Sequence, residues 1–273
     1  MAGLTVGDQR RHWQARSAAY VRWAEPTERM ADRFNLPLLE AAGVAAGDRL
    51  IDLASGAGEP ALTAARLVGP QGFVLATDLS EAMLAEARRR AAAKGFSWLA
   101  TAVCDAGRLP LADGGFDRAT CRFGLMFMPD PVASLAAVRR ALRPGGTAAF
   151  MVWGGEADNP LQAAIGAAIA AVLGRSDDIH GTLRLRFAEA GRLAAAFTAA
   201  GFAGVAEHVL GAERKAAAPD RFWAAPLDLA LGRPATAEEE AALAPAILDR
   251  LSPWREGGVY RLPVLARYAT GTA

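Results

Sequence analysis

The segment Asp52-Leu53-Ala54-Ser55-Gly56-Ala57-Gly58-Glu59-Pro60 joins a carboxylate to two glycines one residue apart, after an apolar run and before a helical pattern. Gly56 and Gly58 allow a tight turn and close approach of the backbone to a ligand. Asp78 follows 22 residues after Gly56, at the end of a second apolar run. An acidic side chain at that spacing suits a pair of ribose hydroxyls; a plain helix cap is its structural alternative. A third carboxylate, in Cys104-Asp105-Ala106, closes another apolar run. Its side chain can accept from an adenine amino group while the Ala106 amide donates to a ring nitrogen. Asp52, two residues before the turn, gives a pyrophosphate no advantage but favours a ligand carrying cationic groups. That separates this pattern from a nicotinamide-binding turn, which the glycines alone also fit.

These residues need strands that end at one edge. Short apolar runs at Leu50–Ala54, Phe73–Thr77, Trp98–Val103, Asp117–Cys121 and Thr147–Trp153 alternate with helical patterns. Pro60 suits the first turn of the helix after the glycines. Ser80 is an N-cap for Glu81–Lys94, which Gly95 stops. Asp130-Pro131 opens a helix carrying Leu135, Val138 and Leu142, and Pro144-Gly145-Gly146 turns the chain into the fifth strand. Alternating β and α units with short connections predict a parallel sheet covered on both faces. Residues 160–200 read as helical and alanine-rich, Val205–Leu210 as a sixth strand and 219–252 as helical. Val259–Thr270 reads as a last strand, in which Pro263 implies an edge or a bulge. Residues 1–45 form a helical preamble, with Trp13, Tyr20 and Trp23 read as packing residues ahead of ligand contacts.

The 273 residues are 52% hydrophobic and 22% charged, with a net charge of +1. This composition supplies a large core and argues against disorder and against the basic footprint of a nucleic-acid binder. Cys104 and Cys121 read as buried free thiols. His12, His180 and His208 lack ligand spacing, so no metal site is expected. There is no signal-peptide pattern, and the longest apolar stretch, Leu161–Leu173, is too short for a bilayer. A cytoplasmic protein without integral membrane association is expected, with a homodimer as one admissible assembly.

Asp52 to Glu59, Asp78-Leu79-Ser80, Cys104-Asp105-Ala106, Leu109-Pro110, Gly115-Phe116-Asp117 and Leu142-Arg143-Pro144-Gly145-Gly146 occur in the order of class I S-adenosylmethionine-dependent methyltransferases. Over residues 45–153 the chain resembles the branch containing the ubiquinone/menaquinone-biosynthesis C-methyltransferases. Arg122 to Pro131 and Tyr260-Arg261-Leu262-Pro263 are similar to a subgroup of bacterial small-molecule enzymes. The resemblance implies an α/β, Rossmann-like, seven-stranded and mostly parallel sheet with its last strand antiparallel, plus helical lid insertions. It implies S-adenosylmethionine as cofactor. Ala54, Gly56 and Gly58 would line its methionine part with Asp52 nearby, and Asp78 would hold the ribose. Leu79 and Met83 would pack on the adenine, Asp105 and Ala106 would read its edge, and the Arg122 backbone would lie near the methionine. Ser55 stands where the family more often has cysteine.

The expected organisation is one methyltransferase domain over 1–273. It comprises an N-terminal helical lid (1–45), a cofactor-binding core (46–153), a helical substrate-lid insertion (154–203) and a C-terminal part of the sheet (204–273). The expected reaction is methyl transfer to a small apolar or aromatic acceptor. A macromolecule methyltransferase, or a cofactor-binding protein with non-methylating chemistry, stays open. His180, in the insertion, is the candidate general base; a surface histidine beside Asp177 and Asp178 is the equal alternative. His12 could contact substrate from the N-terminal lid, and His208 reads as structural.

Overall fold

The structure is a computed structural model that describes residues 5–175 and 179–273, without the side chains of Ile179, His180 and Ala218. Two helices, α1 (Val6–Ala24) and α2 (Glu28–Ala41), precede β1 (Arg49–Leu53), α3 (Ala61–Val68), β2 (Phe73–Asp78), α4 (Glu81–Ala93) and β3 (Leu99–Val103). Then come β4 (Phe116–Arg122), α5 (Pro131–Ala141), β5 (Leu142–Trp153), α6 (Pro160–Leu173), α7 (Ile179–Arg184) and α8 (Arg192–Ala199). The chain ends with β6 (Ala203–Ala217), α9 (Ala224–Leu231), α10 (Ala237–Arg250), β7 (Arg255–Glu256) and β8 (Val259–Thr272).

The strand order is β3-β2-β1-β4-β5-β8-β6, with the two-residue β7 beside β8. β1 to β5 pair in parallel, and β8 is antiparallel to both β5 and β6. This is the Rossmann-like sheet that the sequence implies, with one short strand added. Ser80 accepts from the Met83 amide and Asp130 from the Ala133 amide at 2.9 Å, so both expected caps form. Two expectations shift locally. Pro60 occupies the N-cap position of α3, just outside its first turn. Pro144-Gly145-Gly146 lies inside β5, whose pairing with β4 begins at Leu142.

β6 is longer than the apolar run Val205–Leu210 indicates. Its second half pairs with the first half of β8, out to Ala217 and Val259. β5 reaches β8 only from Ala266 onward. A ribbon of β6 and β8 therefore projects past the carboxyl ends of the parallel strands. Pro263 sits in this ribbon, where β8 has no β5 partner, so its missing N–H breaks no ladder on that side.

Two of the hydrophobic clusters bear on the site. The main one includes Ile51, Leu53, Phe116, Leu125, Leu135, Phe150 and Phe197 around the sheet. The second gathers Leu161 and Ile165 of α6, Leu227 and Leu231 of α9, Leu243 and Ile247 of α10, and Tyr260 and Leu262 of the ribbon. Phe222, Trp223 and Trp254 belong to this second core and do not line the cavity described below. The 154–203 segment divides between the two: α6 joins the second core, whereas Leu193, Ala196 and Phe197 of α8 join the main one. The reason is register, since α8 feeds directly into β6 and must lie on the sheet.

Candidate active site

A cavity of about 650 Å³ opens at the carboxyl ends of the parallel strands. Its size falls in the usual range for ligand pockets, and its place is where open α/β sheets bind ligands. Ala54, Asp78, Cys104, Arg122 and Trp153, each at or just past a strand end, lie in its wall.

The glycine turn is built by its own hydrogen bonds. Ala54 and Gly56 both take positive φ, 52° each, and Gly58 takes 117°. The Ser55 hydroxyl donates to the Asp52 carbonyl at 2.9 Å and accepts from the Thr77 amide at 3.1 Å. The Gly56 amide donates to Asp78 Oδ2 and the Ser80 amide to Asp78 Oδ1, both at 2.9 Å. Asp78 is thus oriented from two sides at the mouth of β2. Burial raises its pKa, against the lowering effect of those amides. Leu79, Met83, Asp105 and Ala106 complete this end of the wall, and Asp105 Oδ1 accepts from the Gly107 amide at 2.9 Å.

Two residues of the expected set stand back from the wall. Gly58 does not line the cavity: a Cβ there would come within 2.8 Å of Leu62 and 3.4 Å of Ala87, so its absence allows turn and helices to pack. Asp52 is fully buried one layer beneath. Its Oδ1 accepts from Thr120 at 2.7 Å, and its Oδ2 has no partner among the described residues. Burial pushes its carboxyl up to about 7, with Thr120, Ser55 and Arg122 acting in the opposite direction.

Arg122 lines the cavity with its side chain, not only its backbone. Its guanidinium lies 5.6 Å from the Phe123 ring centroid, and Nε is buried without a hydrogen bond among the described residues. Burial lowers its pKa, while the charges of Glu59 and Asp52 pull the other way. With Nε orphaned and no ion pair to Arg122 among the described residues, this position favours an incoming anion.

Several cavity residues carry no sequence signal. Arg90, 1% exposed, donates to the Ala57 carbonyl at 2.7 Å and pairs with Glu59 at 2.8 Å and Glu28 at 3.0 Å. It fastens the glycine turn to α4 and α2. Asn35 donates to Glu59 at 2.7 Å and to Thr63 at 3.0 Å. Farther along the wall, Phe123 stacks on Trp153 with centroids 3.8 Å apart, and Phe34 meets both edge-on. Such partners lie far apart in sequence, so only the fold brings them together.

Trp13, Tyr20 and Trp23 line the cavity, and Trp13 also packs edge-on against Tyr20 and Phe127. α1 crosses the cavity mouth because it is tied on the far side. Arg16 donates to the Leu229 and Ala230 carbonyls at 3.0 and 2.8 Å, and Trp23 donates to Asp228 at 2.8 Å. His12 is also in the wall, edge-on to Trp13. His208 stacks on Tyr268 in the sheet, away from the cavity. His180 falls in α7, and its side chain lies outside the described residues, as do Asp177 and Asp178. Cys104 and Cys121 are free thiols, the first half-buried and the second buried. Among the described residues, no group of three or more His, Cys, Asp or Glu could hold a metal ion, and no helix is long and apolar enough to cross a membrane.

Residues 50–146, which contain the glycine turn and both edge carboxylates, match the methyltransferase domain family. Over that span the chain resembles class I S-adenosylmethionine-dependent methyltransferase domains of the UbiE-like kind. Within that class it is 42% identical over 105 residues to the ubiquinone/menaquinone biosynthesis C-methyltransferase UbiE of Cupriavidus taiwanensis, 38% of this chain and 43% of that one. The corresponding enzyme of Teredinibacter turnerae is 41% identical over 109 residues, covering 40% and 44%. The match thus spans less than half the length of these curated relatives. Solved structures share the fold more widely. The YcgJ protein of Bacillus subtilis is 18% identical with a TM-score of 0.58, covering 87% of this chain and 97% of its own. The [4+2]-cyclase SpnF is 22% identical with a TM-score of 0.55, covering 88% and 81%.

Proposed function

We propose that this protein transfers a methyl group from S-adenosylmethionine to a small acceptor held against the aromatic wall of the cavity. The observation that carries the reading is the presence, in one cavity, of the turn, the carboxylate edge and Arg122, which forms no ion pair among the described residues. A methionine end carries both an ammonium and a carboxylate. Glu59, and Asp52 where it is ionised, supply negative charge near the turn, and Arg122 supplies a cation; together they complement both charges. Asp78 would hold the ribose hydroxyls, Leu79 and Met83 the adenine face, and Asp105 with the Ala106 amide its edge. When bound, S-adenosylmethionine supplies a methyl group on a cationic sulfur, open to in-line displacement.

The remaining work falls to the chain. Phe34, Phe123 and Trp153 offer an apolar, aromatic surface on which an acceptor can be aligned. Alignment of this kind is worth on the order of 7–11 kcal/mol at best. α1, clasped to α9, closes the mouth and excludes water. His180 and His12 are the proposed sources of a general base. The test is incubation with methyl-labelled S-adenosylmethionine and a panel of phenolic, amine and enolisable aromatic acceptors. Label should appear in at least one product, with S-adenosylhomocysteine formed in equal amount. Cofactor binding without label transfer to any of them would instead favour the reading in which the site binds the cofactor but does not methylate.

A further inference from the structure

The acceptor end of the cavity carries positive charge that its own wall does not neutralise. Along the described wall arginines outnumber carboxylates, and most acidic groups sit at the cofactor end or are already paired. Arg33 reaches the cavity from α2, and Arg214 reaches it from the β6–β8 ribbon on the other side. Neither has a carboxylate within ion-pair distance among the described residues. Arg214 donates Nη2 to the Phe222 carbonyl at 2.8 Å and lies 5.8 Å from the Phe222 ring centroid, which holds its guanidinium in place. Burial lowers its pKa first, and the charge of Arg33 lowers it further, so the two cations feel one another. Gln162, on α6, lines the same cavity with Oε1 buried and without a partner.

Two cations on one cavity wall, neither ion-paired among the described residues, repel, and the half-buried Arg214 also bears a desolvation cost. A bound anion relieves both. A carboxylate suits such forks because it can accept from each in parallel. The Phe34–Phe123–Trp153 cluster lies on the same wall, and Phe34 follows Arg33 directly in α2.

Resting on the methyltransferase reading, we propose that the acceptor is an aromatic carboxylate, its ring system on the Phe34, Phe123 and Trp153 surface and its acid group between Arg33 and Arg214. The small apolar or aromatic acceptor expected from the sequence is thereby narrowed to one that also carries an acid group. Since the two arginines belong to the N-terminal helices and to the ribbon, such an acceptor also bridges the two sides of the cavity.

The test is calorimetric titration of the full-length protein, saturated with S-adenosylhomocysteine, with 2-naphthoate and with its neutral isostere 2-naphthamide. The carboxylate should bind about tenfold or more tightly than the amide, as charge-assisted hydrogen bonds imply. Arg214→Gln should abolish that preference while leaving S-adenosylhomocysteine affinity unchanged. The exposed Arg33→Gln, which touches no core, should reduce the preference in the same direction. Equal binding of acid and amide, no binding of either, or a preference that survives both substitutions would overturn the proposal. Saturation with S-adenosylhomocysteine is measured first and independently, so failure of the cofactor reading is seen as such.

Discussion

In the proposed cofactor site, Asp78 is a side chain whose two oxygens are already aimed by the Gly56 and Ser80 amides. Asp78→Ala should weaken S-adenosylhomocysteine binding about tenfold or more, since charge-assisted hydrogen bonds contribute roughly 1.5–3 kcal/mol each. Calorimetry on the two proteins checks this, and unchanged affinity would remove Asp78 from the site. Asp52 makes a prediction about pH. Its folded-state pKa, about 7, lies above the ordinary carboxylate value of the unfolded chain, and that of Asp78 is also raised. The folded protein then holds protons that the unfolded chain has released, so this contribution makes stability fall as pH rises towards about 7 and level off above it. Urea unfolding at a series of pH values should show a smaller decline for Asp52→Asn than for the wild type. Identical slopes would mean that Asp52 is ionised throughout. Arg90 was invisible in the sequence, a helical arginine among Arg88, Arg89 and Arg90. Only the approach of α4 to the turn selects the one that faces inward. Arg90→Ala strips Glu59 of a buried partner and should cost about 3–5 kcal/mol of stability, measurable as a lowered urea midpoint.

At the scale of elements, the sequence was most legible where local chemistry decides the outcome. Ser80, Asp130 and Gly95 bound their helices because caps and positive φ act within a few residues. The five parallel strands were legible as apolar runs, the clearest being β1, buried from Leu50 to Leu53. β6 was legible only in part. Its second half, Gly211–Ala217, holds three charged residues in a row between small ones, and pairing with β8, not local hydrophobicity, makes it a strand. The place of the α1 aromatics on the cavity wall is not legible for a related reason. Trp13, Tyr20 and Trp23 have helical packing spacing, and only the clasp to α9 turns them over the cavity. This clasp leads to an expectation from hydrogen exchange. Protection in α1 and around Gly56 should rise when S-adenosylhomocysteine is added, and α6 should respond less until an acceptor is present. If α1 and α6 exchange as slowly as the central strands in the ligand-free protein, they are fixed walls and not lids.

For the whole molecule, the division between the main core and the second one explains how one chain combines a common sheet with its own acceptor chamber. The parallel half, with its turn and edge carboxylates, is what the methyltransferase family match covers, from residue 50 to residue 146. The chamber is built from α1, α2, α6, α9 and the ribbon, almost wholly outside that span, and its polar residues carry no motif. That is why the cofactor end could be proposed from sequence while the cationic acceptor end could not: Arg33 and Arg214 are separated by most of the chain and meet only through the fold. The central claim is that the turn and carboxylate edge accept S-adenosylmethionine and not a dinucleotide. Isothermal titration of the folded protein with S-adenosylhomocysteine and, separately, with NADH tests it most directly. The account predicts micromolar binding of S-adenosylhomocysteine and no appreciable binding of NADH. Folded protein that binds NADH tightly, or that gives no heat with S-adenosylhomocysteine, would contradict it.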